Sequence, residues 1–377
     1  MAKRAVRVYV GTRKGSYVAE SDLARKKWKV RGPYHAGSDV FHVMPDPRHD
    51  GVVYSAVNSV FWGPMLYRSS DHGKKWKEIP TPQMGKKADR PPPSFDVDPR
   101  TIVRPIVNLW HIEPGVEREP STVWVGVDPA SLYRSDDSGK SWTAMNGINE
   151  HATRAKWNPG AGGLCLHSIL VDPRIPGRMY IGISAAGTFR SDDSGEHWRP
   201  ANKGVRVSFS PDHYPEFGQC VHKISLDAAN PSTIYRQDHD GIYVSHDAMD
   251  SWKRVGRPLP YDFGFVVTSP ASRPGTAYFA PLLPMERMMD QNSLQVYRWT
   301  EKGRSWTSLL KPGAFPGSYG THREGMATDS MDPPGIYLGT NTGDVFLSPD
   351  EGRHWSALPY RFPPIHSVEV SLSPPAA

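Results

Sequence analysis

SDDSGKSW (residues 135–142) is one of four intact copies of the pattern Ser-x-Asp-x-Gly-x-x-Trp; the others are SSDHGKKW (69–76), SDDSGEHW (191–198) and SPDEGRHW (348–355). Three degraded copies keep the terminal tryptophan: SDLARKKW (21–28), SHDAMDSW (245–252) and WTEKGRSW (299–306). Consecutive tryptophans are between 48 residues (Trp28 to Trp76) and 66 residues (Trp76 to Trp142) apart. Repeats of roughly 40–50 residues are typical of the four-stranded blades of a β-propeller. The seven copies therefore predict seven blades.

Each copy follows a strand pattern such as LYRS (132–135) and precedes another, so it predicts the turn of a hairpin. The serine and aspartate side chains can bond the turn backbone, and the glycine permits an unusual φ. The tryptophan is expected to pack between neighbouring sheets. These residues are therefore predicted to be structural, and none is a catalytic candidate.

A second pattern gives the start of each blade and the closure of the ring. An Asp-Pro-like turn stands eight residues before a tyrosine at Asp46/Tyr54, Asp172/Tyr180, Asp227/Tyr235 and Asp329/Tyr337. The first repeat lacks this opening strand, and HSVEVS (366–371) matches HSILVD (167–172) position for position. A C-terminal strand at about 365–372 therefore completes the N-terminal blade and removes exposed sheet edges. The sequence predicts an all-β, seven-bladed β-propeller with four-stranded blades and a single domain over residues 1–377.

Composition limits the classes of partner. The 377 residues carry 45 Lys and Arg against 39 Asp and Glu, a net charge of +6, which suits an anionic ligand better than nucleic acid. No apolar run approaches the roughly 18 residues of a membrane span, and MAKRAVRVYVGTRKG at the start has no apolar signal core. With only two cysteines, these features predict a cytoplasmic protein with no membrane partner. A closed ring predicts a monomer.

The repeated boxes resemble those of BNR/Asp-box propellers, which include sialidases, xyloglucanases, sortilin-type receptors and photosystem assembly factors. VGTRKGSYVAES (10–21), CVHKISLD (220–227), YRQDHDGIYVS (235–245) and YDFGFVVTSP (261–270) further resemble bacterial proteins termed sialidase-like or glycosyl-hydrolase-like. A true sialidase is not expected, because sialidases have six blades and an Arg-Ile-Pro motif near the start. The resemblance implies that the boxes lie opposite the functional face. That face then holds the starts of the innermost strands and the loops between second and third strands.

Two positions per blade are predicted to face the central channel there. Five residues before the Asp-Pro-like position stand Phe41, Pro93, His167, His222, Phe265, Glu324 and His366. Seven residues before it stand Asp39, Pro91, Cys165, Cys220, Phe263, His322 and Pro364. Positions two apart share a strand face at a spacing of about 6–7 Å. In this register Trp110 falls in an insertion (100–122) on the opposite side.

The imidazoles in these positions predict a metal site. We expect His167, His222 and His366, with Cys165 and Cys220 nearby, to hold one divalent cation, Zn²⁺, Mn²⁺ or Ca²⁺. The alternative is that these side chains fill a narrowing channel and bond the backbone.

Proton-transfer and substrate-binding candidates come from the same face. Glu324 or Asp238 is a candidate general acid or base, and His239 or His322 an alternative proton carrier. The candidates for substrate binding are Arg13, Lys14, Arg323, Gln237 and Trp62. An ordinary polar turn explains Gln237 and Asp238 as well, and a solvated hairpin tip explains Arg13 and Lys14. The Met-rich segment 281–293 is a lid, a partner-docking lobe or a loop packed over the next blade.

Together these residues predict a hydrolase or lyase that acts at the channel mouth on a small polar or anionic, carbohydrate-like substrate. The alternative class is a non-catalytic binding or assembly propeller for a protein partner or a ligand.

Overall fold

The computed structural model describes residues 4–83, 106–160 and 162–373 and contains seven four-stranded antiparallel sheets. Their strands are rich in Val, Ile and Tyr, as suits strands buried on both faces. Each sheet is one blade, and the innermost strands of consecutive blades contact one another around a central axis. The all-β, seven-bladed propeller predicted from the repeats is confirmed. Among the described residues, no helix has the length and apolar character needed to cross a membrane.

Blades 2 to 7 each take four strands in chain order, and blade 1 takes three from the N-terminal end of the chain. Blade 1 contains β1 (Ala5–Thr12), β2 (Gly15–Asp22) and β3 (Lys29–Tyr34), and blade 2 contains β4 (Asp39–Pro45), β5 (Val53–Ser59), β6 (Gly63–Ser69) and β7 (Lys77–Ile79). Blade 3 contains β8 (Asn108–Pro114), β9 (Val123–Asp128), β10 (Ser131–Ser135) and β11 (Thr143–Ala144). Blade 4 contains β12 (Leu166–Val171), β13 (Met179–Ile183), β14 (Gly187–Ser191) and β15 (Arg199–Pro200). Blade 5 contains β16 (Val221–Leu226), β17 (Ile234–Asp238), β18 (Gly241–Ser245) and β19 (Lys253–Arg254). Blade 6 contains β20 (Phe263–Thr268), β21 (Thr276–Leu282), β22 (Tyr297–Thr300) and β23 (Ser305–Ser308). Blade 7 contains β24 (Met326–Thr328), β25 (Ile336–Gly339), β26 (Val345–Ser348) and β27 (Ser356–Ala357). A helical turn, α1 (Asn146–Asn149), and two 3₁₀ turns (Arg154–Lys156 and Asp290–Asn292) lie in the connections.

The ring closes through the last strand, β28 (Ile365–Leu372), which is the innermost strand of blade 1. It pairs antiparallel with β1, with Val8 opposite Val370 and Val10 opposite Val368. Val368 and Val8 then pack against Tyr337 of blade 7, so the first and last repeats share one hydrophobic core. The predicted closure at about 365–372 is confirmed.

The Ser-Asp boxes form the turns between third and fourth strands. Ser69 Oγ donates to Asp71 Oδ1 at 2.8 Å and accepts the Gly73 N–H at 2.9 Å. Asp71 Oδ1 also accepts the N–H groups of Lys74 and Lys75 at 3.0 and 2.9 Å. Gly73 has a φ of +76°, which a residue without a Cβ adopts readily. The boxes have the structural role predicted for them.

Six inner strands carry a β-bulge at the same level of the axis. The bulged residues, which have no direct partner on the second strand, are Phe41, Trp110, His167, His222, Phe265 with Val266, and His366. A bulge adds one residue to one strand, so consecutive side chains are aimed in different directions. All of these except Trp110 and Val266 are positions predicted to face the channel.

Blade 3 departs from the predicted register. Its inner strand is β8, and Trp110 is the bulged residue of that strand, so the assignment of Trp110 to an insertion on the opposite side is wrong. Pro91 and Pro93, the predicted channel positions of this blade, lie outside the described residues.

Candidate functional site

A cavity of about 1450 Å³ lies at the end of the axis where the inner strands begin, and all seven blades contribute to its lining. The described lining contains no residue of a Ser-Asp box. This agrees with the expectation that the boxes lie at the end of the axis opposite the functional face. Its fixed charges are unbalanced: the cations are Arg13, Lys14, Lys156, Arg287 and Arg323, and the acids are Asp39 and Glu324. A surplus of cations in a concave site attracts anionic ligands.

Most of the predicted site residues line this cavity. They are Glu324, His239, His322, Arg13, Lys14, Arg323, His222, His366 and Cys220. Five do not line it: Asp238, Gln237, His167, Cys165 and Trp62. The contacts of these five explain their positions.

Asp238 and Gln237 are buried inside blade 5 and hold the β17–β18 connection. Asp238 Oδ2 accepts from Arg236 Nε at 2.8 Å and Nη2 at 2.5 Å. Burial raises the pKa of Asp238, and Arg236 opposes that rise. Gln237 Nε2 donates to the carbonyls of Asp238 and Asp262 at 3.1 and 2.9 Å. The structure therefore corrects the assignment of Asp238 to catalysis and of Gln237 to substrate binding, and supports the simpler alternative of a structural turn.

His167 and Cys165 are fully buried between blades. The two ring nitrogens of His167 contact Ser168 Oγ and the Val221 carbonyl, both at 3.0 Å, so neither points at an open ligand position. Burial raises the pKa of the Cys165 thiol to about 12, and both cysteines are free thiols. Hence His167, His222 and His366 do not form one metal cluster, and the predicted ligand set is corrected.

Trp62 lies in the loop between β5 and β6, on the face predicted to be functional. Trp62 is 80% exposed, and its neighbours Val60 and Phe61 are 84% and 88% exposed. Trp62 therefore does not contact the cavity, contrary to the predicted role in substrate binding.

Four polar side chains close the axis below the cavity, and we term them the axial cluster: His42, His111, Lys223 and Glu324. The Lys223 ammonium donates to one oxygen of Glu324, and His111 Nδ1 contacts the other at 3.1 Å. His42 stacks on His111 with ring centroids 4.6 Å apart. Below this cluster a second cavity of about 270 Å³ is lined by His111 and Lys223.

The charges of the axial cluster stabilise each other. Burial opposes ionisation of Glu324, but Lys223 and His111 hold the pKa of its carboxyl well below the usual value. Burial likewise opposes protonation of His111, but Glu324 and Glu113 raise its pKa above the usual value. Glu324 is therefore an ionised carboxylate at neutral pH and holds no proton to donate.

Arg323 is a cation in the cavity wall. Its guanidinium lies 5.7 Å from the ring centroids of both Trp110 and Phe265. Nη2 reaches Ser184 Oγ at 3.4 Å, and the buried Nε has no hydrogen-bond partner. No carboxylate among the described residues forms a salt bridge with it. A ligand anion can therefore occupy this position.

Next to Arg323, two imidazoles and a carboxylate line the wall. Burial lowers the pKa of His322 to about 3, and the neighbouring Arg13 and Arg323 guanidinium groups act in the same direction. His366 Nε2 contacts Asp39 Oδ1 at 3.3 Å, and this hydrogen bond is the main reason that the pKa of Asp39 is lowered. At neutral pH, His322 is therefore an uncharged base and Asp39 is ionised.

Several cavity residues were not singled out from the sequence. Trp110 and its neighbour His111 lie in NLWHIEP (108–114), which matches DVFHVMP (39–45) in type at nearly every position. Comparing the inner strands with each other, rather than through the Asp-Pro-like turn, would have found both residues. Lys223 carries no such signal.

One of the roles predicted for the Met-rich segment 281–293, packing over the next blade, agrees with the contacts of its C-terminal end. Met289 is buried and donates its N–H to the Tyr319 carbonyl at 2.7 Å, so this end packs over blade 7. Arg287 lines the cavity, while Met285 is 88% exposed.

Comparisons with known proteins agree with this fold. The family model for the BNR-Asp box repeat matches residues 66–79. A xyloglucanase from Paenibacillus sp is 26% identical over 249 residues, which is 60% of this chain and 22% of that enzyme. The chain thus spans about a fifth of that relative's length.

Two solved structures also have a fold similar to that of this chain. The GH74 xyloglucanase from Xanthomonas campestris superposes with a TM-score of 0.65 at 16% identity, covering 96% of this chain and 52% of that one. YCF48 bound to D1 peptide superposes with a TM-score of 0.52 at 12% identity, covering 85% and 80% of the two chains. The chain is a seven-bladed propeller with BNR-Asp box repeats. Its fold is similar to that of the GH74 xyloglucanase from Xanthomonas campestris.

Proposed function

We propose that this chain is a carbohydrate-active enzyme that cleaves a small acidic saccharide in the cavity. The observation that carries the proposal is Arg323, a guanidinium that forms no salt bridge with a carboxylate of the described residues and lies in a lining with more cations than acids. Arginine binds carboxylate in a bidentate geometry. The similarity to xyloglucanases supports a carbohydrate substrate, and the cations favour an acidic sugar over a neutral one.

The aromatic lining supports a sugar ring beside that carboxylate. Phe41, Trp110 and Phe265 occupy bulge positions on three inner strands and line the cavity. His366 already stacks on Phe41 with centroids 5.0 Å apart and ring planes at 9°. Apolar faces with a few placed polar groups are typical of small-ligand sites.

The ionisation states favour His322 as the proton acceptor. Both carboxylates of the described lining are ionised, so neither is the protonated acid that a two-carboxylate glycosidase uses. Uncharged His322 can accept a proton from water, which attacks the anomeric carbon (hydrolysis), or from the carbon next to the substrate carboxylate, where a C=C bond then forms (elimination). In both cases the C–O bond to the leaving sugar breaks, and the protonated imidazole returns its proton to the departing oxygen. A bound carboxylate raises the pKa of His322 and makes it a stronger base.

The test is cleavage of a panel of uronate oligosaccharides and neutral xyloglucan oligosaccharides, followed by mass spectrometry. We expect cleavage of an acidic member. Hydrolysis products together weigh one water more than the substrate, and elimination products weigh the same. Arg323→Met and His322→Ala should each lower kcat/KM by about 100-fold or more, whereas Trp62→Ala, outside the cavity, should not.

Two outcomes would overturn the proposal. One is cleavage of neutral members alone, with Arg323→Met fully active. The other is saturable binding of acidic saccharides without any product, which supports the non-catalytic binding propeller instead.

A further inference from the structure

We infer that Cys220, His222 and His239 form a zinc site in the wall of the cavity. Cys220 Sγ and one nitrogen of each imidazole all lie within 4.8 Å of one another. His222 is the bulged residue of β16, Cys220 directly precedes that strand, and His239 lies in the β17–β18 connection of the same blade. The inference stands whether or not the cavity cleaves a saccharide.

His222 presents a free lone pair toward the cysteine. Its Nδ1 donates to the Gly264 carbonyl at 2.6 Å, which leaves Nε2 as the unprotonated nitrogen. Nε2 lies 3.5 Å from Cys220 Sγ. Metal-binding histidines usually donate their other N–H to a carbonyl or carboxylate, because this bond fixes the tautomer and the ring orientation.

The three side chains are held in place by an apolar shell and by the backbone. His222 stacks on Phe265 with centroids 4.5 Å apart, and His239 meets the edge of Phe263 at 5.2 Å. The backbone N–H of His239 donates to the backbone carbonyl of Cys220 at 3.0 Å. A site assembled before the metal arrives binds it without ordering new residues.

A second group of side chains that could hold a metal is His42, His111 and Glu324. Their ligand atoms are already bonded to other groups of the protein. His42 Nδ1 accepts the Ile112 N–H at 3.0 Å, and His42 Nε2 contacts Glu369 at 3.2 Å. Glu324 is already paired with the Lys223 ammonium. A lysine therefore supplies the positive charge there that a metal would supply.

The ligand types select the metal. One thiolate and two imidazoles favour Zn²⁺ over Mn²⁺ and Ca²⁺, which prefer oxygen ligands. Three protein ligands with a fourth position open to a cavity are typical of catalytic zinc sites. Cys220, His222 and His239 all line the cavity, so the fourth position faces it.

The test measures metal content directly. The chelator-treated full chain is dialysed against Zn²⁺ and analysed by mass spectrometry for metal, and a parallel sample is loaded with Co²⁺. We expect one zinc per chain and, with Co²⁺, a thiolate-to-metal charge-transfer band. His222→Ala and His239→Ala should lose the metal, and Cys220→Ser should lose the band.

Matched controls come from the same protein. His366→Ala removes an imidazole of the same cavity, and Cys165→Ser removes the other thiol; both should keep one zinc. The inference is overturned if the folded wild-type chain retains no zinc, or if the zinc content of His222→Ala and His239→Ala equals that of His366→Ala. Neither result depends on whether any saccharide is cleaved.

Discussion

Asp137 shows how one side chain fixes a blade turn. Its carboxylate accepts the N–H groups of Lys140 and Ser141 at 2.9 and 2.8 Å and the Ser141 hydroxyl at 2.6 Å. The hydrogen bonds from Ser141 are the main cause that lowers the pKa of Asp137 to about 2. The charged form of Asp137 therefore stabilises the folded chain.

Asp137→Ala should lower the free energy of unfolding by about 1 kcal/mol at neutral pH, because backbone donors lose their acceptor. The folded pKa lies below the unfolded value of about 3.9, so the difference from wild type should be constant above about pH 5 and shrink as pH falls toward 2. Urea unfolding across this pH range is the measurement. Lys140→Ala, at an exposed position of the same turn, is the control. A difference that does not change with pH would contradict the role of the charge.

Glu324 presents the opposite situation, a buried charge whose partners are the buried His111 and the partly buried Lys223. Glu324→Gln leaves the Lys223 ammonium without its carboxylate, and we expect a loss of about 3–5 kcal/mol in stability at pH 7. Lys223→Met in the Glu324→Gln background should restore part of that loss, as a double-mutant cycle in urea would show. If the double variant has the same free energy of unfolding as Glu324→Gln alone, a direct ion pair is contradicted. Since the pKa of Glu324 is lowered, its contribution is full above the unfolded value of about 4.3 and is lost as pH falls below it.

At the scale of the strand, the sequence predicted the elements well and their side-chain directions less well. The box pattern and the match of 366–371 to 167–172 located the turns and the closing strand. The strand β8 was missed because its turn is Pro114-Gly115 rather than Asp-Pro, and the search based on the aspartate matched Asp98-Pro99 instead. The bulges also determine which of two neighbouring residues, such as Phe41 and His42, lines the cavity. Bulge geometry depends on pairing between strands, which no single stretch of sequence encodes.

Deletion of residues 365–377 removes the inner strand of blade 1 and leaves one edge of β1 unpaired. Ile365 and Val368 also leave the core between blades 7 and 1. We expect the shortened chain to aggregate or to form oligomers through the open edge, as size-exclusion chromatography with light scattering would report. A synthetic peptide of residues 361–373, added in trans, should restore a monomer. A stable monomer without the peptide would contradict the importance of ring closure.

At the scale of the whole molecule, the number of blades followed from counting tryptophans, whereas the cavity chemistry did not. Asp238 appeared in the sequence as one of four polar residues in a loop, but its carboxylate forms a salt bridge with Arg236 of the same blade. Arg323 appeared as a lone arginine, but the fold leaves it without an acidic neighbour at salt-bridge distance in the described part of the chain. Such differences depend on which side chains meet in the folded chain, within a blade or between blades.

Because each pair of adjacent blades shares a core and the ring is closed, we expect the chain to unfold as one unit. Calorimetry should give a single transition with calorimetric and van't Hoff enthalpies that agree. Two separate transitions would contradict the prediction of one domain.

The axial cluster affects how a ligand can move along the central channel. Lys223 and His111 both contact Glu324, and in the described part of the chain these side chains lie between the two cavities. We therefore expect that a polymer does not thread from one end of the ring to the other. We then expect a ligand to enter and leave the cavity from the same end of the axis. An enzyme of this shape would trim ends or process short pieces one at a time, and its speed would depend on how quickly it releases what it has made.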